Sequence, residues 1–169
     1  MCIRVFVFGG DDLRGQVVIV RKNLETPGTV RQISDGERQA GFAGGAQLFD
    51  AYSEWLAETY QVSRPAELDA AYLSDVLSRF FAEYGWGSLS VRPVGDAVLA
   101  LDSIEWAEAS DEGGADYPSC HLSCGLLADF LGRMSDGLVA VMEVECRSRG
   151  DARCRFLAGA PETLATLYD

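Results

Sequence analysis

The order of periodicities constrains this chain most: β-rich runs arrive two at a time, and stretches with a helical apolar period fill the gaps between them. Residues 2–8 and 15–21 are rich in β-branched and aromatic side chains and flank Gly9-Gly10-Asp11-Asp12, so they predict an antiparallel hairpin. Residues 23–34 read as irregular, interrupted by Pro27-Gly28. Ser34-Asp35-Gly36-Glu37 has capping-box spacing and predicts a helix start, which Gly41 and Gly44-Gly45 should cut short. A stronger helix is expected over 46–61, where Leu48, Phe49, Tyr52, Trp55, Leu56 and Tyr60 form one stripe. Pro65 separates it from a third over 66–84, where Leu68, Tyr72, Val76, Phe80 and Tyr84 step by four and Gly85 ends the run. Strands at 89–94 and 97–101 turn across Gly95-Asp96. A helix at 119–133, capped by Ser119, precedes strands at 138–145 and 153–158, and Pro161 opens a short terminal helix. This order predicts an α+β fold, an antiparallel sheet packed against helices, as a single domain over residues 1–169.

Charge narrows the partners. Twenty-six acids against fourteen bases give a net charge of -12, which argues against a phosphate-backbone or anionic-lipid surface. No apolar run reaches the ~20 residues of a membrane helix, and the apolar start has no signal-peptide cleavage pattern. The expectation is a soluble cytoplasmic protein, with no nucleic acid and no membrane among its partners. The acid-only stretch from Asp102 to Asp116 reads as a solvated excursion. The glycines at 36, 41, 44 and 45 lack the Lys of a phosphate loop and read as close helix packing, and no nicotinamide or flavin fingerprint is present.

Five cysteines remain to be explained, and in a reducing compartment metal binding or burial is expected before disulfides. Cys146 and Cys154 flank Gly150 symmetrically, so a hairpin turning there sets them opposite each other. Cys120 begins a helix, where free N–H groups favour a thiolate. Three thiolates with a nearby glutamate meet the tetrahedral demand of zinc, and with four protein ligands the site is structural, not catalytic. A cross-strand Cys146–Cys154 disulfide or buried free thiols are the competing readings. The fourth ligand stays open. Glu143 lies an odd three residues before Cys146, so the strand must twist, bulge or end near residue 145. Cys124 competes but sits with Leu127 and Leu131 as a buried thiol. His121 reads as a solvated helix-start histidine.

The run Gly125-Leu126-Leu127-Ala128-Asp129-Phe130-Leu131-Gly132, then Glu143-Val144-Glu145-Cys146, then Gly150-Asp151-Ala152-Arg153-Cys154-Arg155-Phe156, resembles the C-terminal signature of the vinyl-4-reductase (V4R) domain. Gly36-Glu37-Arg38 through Gly41-Phe42-Ala43-Gly44-Gly45 is similar to that family's looser first-helix pattern. The likeness spans residues 15–160 and is specific over 120–156. It implies a fold related to transport-particle (TRAPP) subunits and to haem nitric-oxide-binding sensors, and an often dimeric sensor or carrier of small hydrocarbons. In the family's aromatic sensors a zinc is held at positions that fall on Cys120, Glu143, Cys146 and Cys154, which favours Glu143 over Glu145. Those sensors' phenol-contacting histidine has no counterpart here.

The expected function is therefore non-enzymatic: binding or sensing of a small apolar or aromatic ligand, with a structural zinc, as a homodimer and with a possible protein partner. Phe49, Tyr52, Trp55, Tyr72, Phe80 and Phe81 are the candidate pocket residues, and aromatics at this spacing are equally ordinary core. Trp86 and Trp106, outside the stripes, read as pocket rims, dimer contacts or surface anchors. The alternatives are a dimerising adaptor without ligand and an accessory protein for tetrapyrrole vinyl reduction.

Overall fold

The expected strand pairs form hairpins or neighbours in antiparallel sheets. The computed structural model describes residues 4–8, 17–21, 28–95, 97–110 and 112–167. Cys2, the turn expected at 9–12, residues 23–27 of the stretch expected to be irregular and Asp96 of the Gly95-Asp96 turn lie outside the described residues, while residues 28–34 of that stretch are helical. β1 (Arg4–Phe8) pairs with β2 (Val17–Arg21), Phe6 opposite Ile19. β3 (Ser90–Pro93), β4 (Val98–Ser103), β5 (Ala140–Glu145) and β6 (Cys154–Gly159) make a second sheet in the order β3-β4-β6-β5, all antiparallel. Leu101 opposes Phe156, and both are fully buried on the face that carries the main core. On the reverse face Val98 and Ala140 pack with Leu164 of α4 (Pro161–Thr166). Period-two alternation in β6 divides its residues between these two cores.

One helix, α1 (Gly28–Tyr60), runs 33 residues through the region where two were expected. Ser34, expected at a helix start, lies inside it. Its glycines do not end it, because their missing side chains let α3 (His121–Ser135) approach. A Cβ at Gly41 would strike the Leu122 carbonyl, one at Gly125 would strike that of Arg38, and one at Gly45 would lie 2.5 Å from the Asp129 Cβ. The two helices lie side by side in the same direction. A Gly in a helix costs about 1 kcal/mol against Ala, and burying a Leu or Phe at the resulting interface returns about 1.5–3 kcal/mol. The close-packing reading of the glycines holds for Gly41 and Gly45; a Cβ at Gly44 would make an ordinary contact with Leu126, and one at Gly36 would meet none of the described residues within 4 Å.

α2 (Leu73–Glu83) is shorter than the expected 66–84. Asp69 accepts a bond from the Ala71 N–H, and this local turn breaks the N-terminal part into two 3-10 turns at Pro65–Glu67 and Ala70–Tyr72. Gly85, at φ 80, ends the helix as expected: its N–H bonds Ala82 and the Trp86 N–H bonds Phe81. α2 is stitched to the sheet where Leu89 N and Val91 N donate to Ser78 Oγ and Ser74 Oγ.

The acidic stretch after β4 is not solvated throughout. Trp106 is 1% exposed, with ring contacts to Phe81, Trp86 and Phe156, and its Nε1 donates to Ser123 Oγ at 2.7 Å. Trp106 is thus core, and Trp86 packs partly buried beside it. Two residues on, Glu108 accepts from Leu122 N at 3.0 Å, Ser123 N at 2.8 Å and Ser123 Oγ. This carboxylate satisfies the free N–H groups at the start of α3, the role expected of Ser119. Among the described residues no helix is long and apolar enough to cross a membrane.

Candidate metal centre

Three elements deliver the donors. Cys120 is the residue before α3, Glu143 sits in β5, Cys146 follows β5, and Cys154 opens β6. The odd spacing from Glu143 to Cys146 is resolved by a bulge: Glu143 opposes Phe156 while Glu145 opposes Arg155, so Val144 is extra. Glu143 therefore turns to the core side with the cysteines. Glu145 turns away and is bound by Arg153 Nε at 2.8 Å and Arg155 NH1 at 2.7 Å, and Arg155 also grips Asp102 through two bonds. Beyond Cys146 a single 3-10 turn ends at Gly150, φ 97, and the Asp151 carboxylate accepts from Cys146 N at 2.8 Å.

One donor atom each from Cys120, Glu143, Cys146 and Cys154 lies within 4.8 Å of every other, and these groups could hold a metal ion. Cys120 Sγ is 3.9 Å from both Cys146 Sγ and Cys154 Sγ, and all three thiols are free and fully buried. The Cys146–Cys154 disulfide considered from sequence is thus not formed. Glu143 Oε2 accepts from Cys120 N at 2.8 Å, while its Oε1 is buried with no hydrogen-bond partner. An unpartnered carboxylate oxygen facing three sulfurs fits a cation, which would satisfy all four donors at once.

Burial pushes the Glu143 carboxyl up to about 8. Hydrogen bonds from Cys120 and Cys154 hold the Cys146 thiol far below its ordinary range, and its bond to Cys146, then that to Cys154, push Cys120 up. Cys124, fully buried, is pushed up to about 12 by desolvation and stands outside the four-donor group. His121 is not solvated: Arg38 of α1 donates to its Nδ1 at 3.0 Å, and burial lowers it to about 4.

The aromatic candidates separate into three environments. Tyr52, Trp55, Phe80 and Phe81 are buried in a ring cluster with Phe130, Tyr52 lying 5.0 Å from Phe80 and 5.4 Å from Phe130 between centroids. Tyr72 is 61% exposed and is not brought to that cluster. Phe49 joins the cluster edge-on to Phe130 and also lines a cleft of about 420 Å3 between α1 and the end of α3, with Phe42, Ala128, Arg133, Leu138 and Val139 among its walls. Sequence reasoning missed Glu108, hidden in an acidic run whose one signal was Trp106, and it missed Arg38 as the partner of His121.

The V4R domain family matches residues 104–160, the segment that holds all four donors. No curated protein sequence matches the chain. Among solved structures, the chain is similar to a trafficking protein particle complex subunit 3 from Naegleria fowleri covalently bound to palmitic acid, at 14% identity and TM-score 0.60, covering 77% of this chain and 81% of that one. It also matches a vinyl-4-reductase family protein from Methanocaldococcus jannaschii, at 18% identity and TM-score 0.45, covering 66% of each chain. A third match is the phenol-responsive sensory domain of the transcription activator PoxR with phenol, at 14% identity and TM-score 0.49, over 96% of this chain and 92% of that one. The resemblance to the V4R family thus holds over residues 104–160, carried on an α+β fold shared with a TRAPP subunit.

Proposed function

We propose that the chain is a non-enzymatic binding or sensor domain for a small apolar or aromatic molecule, with zinc at Cys120, Glu143, Cys146 and Cys154. The observation that carries the metal reading is the unpartnered, buried Glu143 Oε1 beside three sulfurs. Zinc bound at about 2.3 Å to tetrahedral thiolates sets sulfurs about 3.8 Å apart, and the two measured separations are 3.9 Å. Bound there, zinc would supply charge to hold the donors as anions and would fasten the β5–β6 hairpin to the start of α3. With four protein donors no position is left for an activated water, so the role is structural.

α3 links this centre to the ligand side. It begins at Cys120 and ends along the cleft, whose volume of about 420 Å3 falls in the usual range for small-molecule sites of roughly 300–1,000 Å3. The V4R match over 104–160 and a fold shared with a palmitate-bound protein support the same reading. The domain works across residues 1–169, as a homodimer in the cytoplasm, where thiolate ligands stay reduced.

Two measurements test this. Elemental mass spectrometry of tag-free protein should give about one zinc per chain, lost in Cys154→Ser; folded protein without metal would sink the zinc reading. Mass spectrometry of an organic extract of the purified protein should yield a stoichiometric apolar compound, and its absence together with failure to bind added hydrocarbons would sink the ligand reading.

A further inference from the structure

Tyr52 stands at the centre of the ring cluster and is fully buried, yet its hydroxyl has no hydrogen-bond partner among the described residues. Its neighbours do not share the problem. Trp55 Nε1 donates to Glu83 Oε2 at 2.6 Å, and Trp106 Nε1 donates to Ser123 Oγ at 2.7 Å. Phenylalanine would fill the same space without a stranded oxygen, so the hydroxyl is costly to the fold unless something else meets it. The rings against Tyr52 are Trp55, Phe80 and Phe130, 6.3, 5.0 and 5.4 Å away between centroids, and the phenol of Tyr60, beyond Trp55, is the polar neighbour that adds to burial in raising its pKa. Phe49 belongs to both the cleft wall and the ring cluster, so it stands between the cleft and the rings around Tyr52.

The chemistry of the missing partner follows from this setting. A charged group among these rings would lose its hydration with no counter-charge, and the chain's net charge of -12 further disfavours an anion. Burial also pushes the Tyr52 phenol up to about 12, so it keeps its proton and serves as a donor. Resting on the apolar-ligand reading above, we infer that the Tyr52 hydroxyl is the polar anchor of the ligand site, and that the ligand is a neutral, compact, apolar molecule with one oxygen acceptor. Rings supply affinity, and the one hydroxyl supplies orientation and selects oxygenated molecules over plain hydrocarbons.

Acetophenone and α-methylstyrene test this as a pair, since they share a shape and differ by a carbonyl oxygen against a methylene. Equilibrium dialysis of each against the purified full chain and its Tyr52→Phe variant gives four affinities, and their double ratio cancels the two compounds' different solvation. The ratio of acetophenone to α-methylstyrene affinity should fall about tenfold in Tyr52→Phe. An unchanged ratio with both compounds bound overturns the anchor and leaves the apolar-ligand reading standing. Failure of both compounds to bind the wild type at saturation overturns that reading and the anchor with it. Binding of α-methylstyrene without acetophenone overturns the anchor alone. Acetophenone binding alone supports the anchor if Tyr52→Phe loses that binding and overturns it otherwise. A second readout needs no ligand: Tyr52→Phe should melt at or above the wild-type temperature. A lower melting temperature or a failure to fold would mean that a buried water or the main chain already holds the hydroxyl, and overturns the proposal.

Discussion

The start and the middle of α3 leave the same defect and call for opposite remedies. At its start, Glu143 Oε1 is buried without a partner among three thiols; along its middle, the Tyr52 hydroxyl is buried without a partner among rings. Each such atom costs roughly 1–3 kcal/mol, more when charged. The first sits among acids that repel one another as they ionise, so only a cation relieves it. The second is packed against rings, where a charge is penalised and a neutral acceptor is not. Burial alone therefore does not say what a site wants; the company of the buried atom does.

The largest effect should come from breaking the first of these. Cys154→Ser removes one of four donors and leaves Glu143 and two thiols facing one another, so zinc should be lost. The expected cost is roughly 3–5 kcal/mol, as for breaking a buried charged cluster, or about 10 °C in melting temperature for a chain of this size. Calorimetry beside metal analysis checks it, and a melting temperature that holds after the metal has gone would show that the start and the middle of α3 are independent.

Next in size is the seam that joins them. Gly125 meets the Arg38 carbonyl at the crossing of α1 and α3, so a methyl there must push backbone from backbone. Gly125→Ala should cost about 2–3 kcal/mol, the upper part of the overpacking range, by urea unfolding. It should also weaken metal retention, because moving the Arg38 main chain also shifts its guanidinium, which bonds His121 beside Cys120. Full metal occupancy in a destabilised Gly125→Ala would separate packing from the metal centre.

What the sequence disclosed divides along the same line. The hairpin with Cys146 and Cys154 was legible because its donors lie close in the chain around one turn glycine, and the odd step from Glu143 to Cys146 already demanded an irregular strand. The bulge at Val144 is that irregularity. α1 was not legible as one helix, since the local cost of Gly41, Gly44 and Gly45 is visible in sequence and the distant backbone they admit is not. Trp106 and Glu108 were masked by acids on either side, although one is core and the other satisfies the start of α3. Nor could spacing separate Tyr52 from Tyr72, each an aromatic in the apolar stripe of its own expected helix, though they differ between full burial and 61% exposure.

Glu108 gives a smaller effect, confined to the metal end and read by pH. Burial raises its carboxyl above the ordinary 4.5, outweighing the bonds from Ser123 and Leu122 that favour the anion. The folded state then holds this proton more tightly than the unfolded one. By linkage its contribution is greatest below about pH 4.5 and declines as pH rises through the folded value. In urea titrations from pH 4 to 8, the stability of wild type minus Glu108→Gln should fall with rising pH. A difference that grows with pH would mean that the anion is the favoured form and that the three hydrogen bonds win over burial.

The smallest effect has the opposite sign and serves as the control for the seam. Gly36 lies in α1 like Gly41 and Gly45, but a Cβ there would meet none of the described residues within 4 Å. Gly36→Ala keeps the helix, adds no clash and reduces the freedom of the unfolded chain, so it should stabilise by up to about 1 kcal/mol. Zinc content and ligand affinity should not move. If Gly36→Ala destabilised as Gly125→Ala does, that face of α1 would be in contact with something beyond the described residues, and a second copy would be the first candidate. Sedimentation equilibrium on the two variants separates the cases, because a dimer contact at Gly36 makes the loss depend on protein concentration and a packing defect at Gly125 does not.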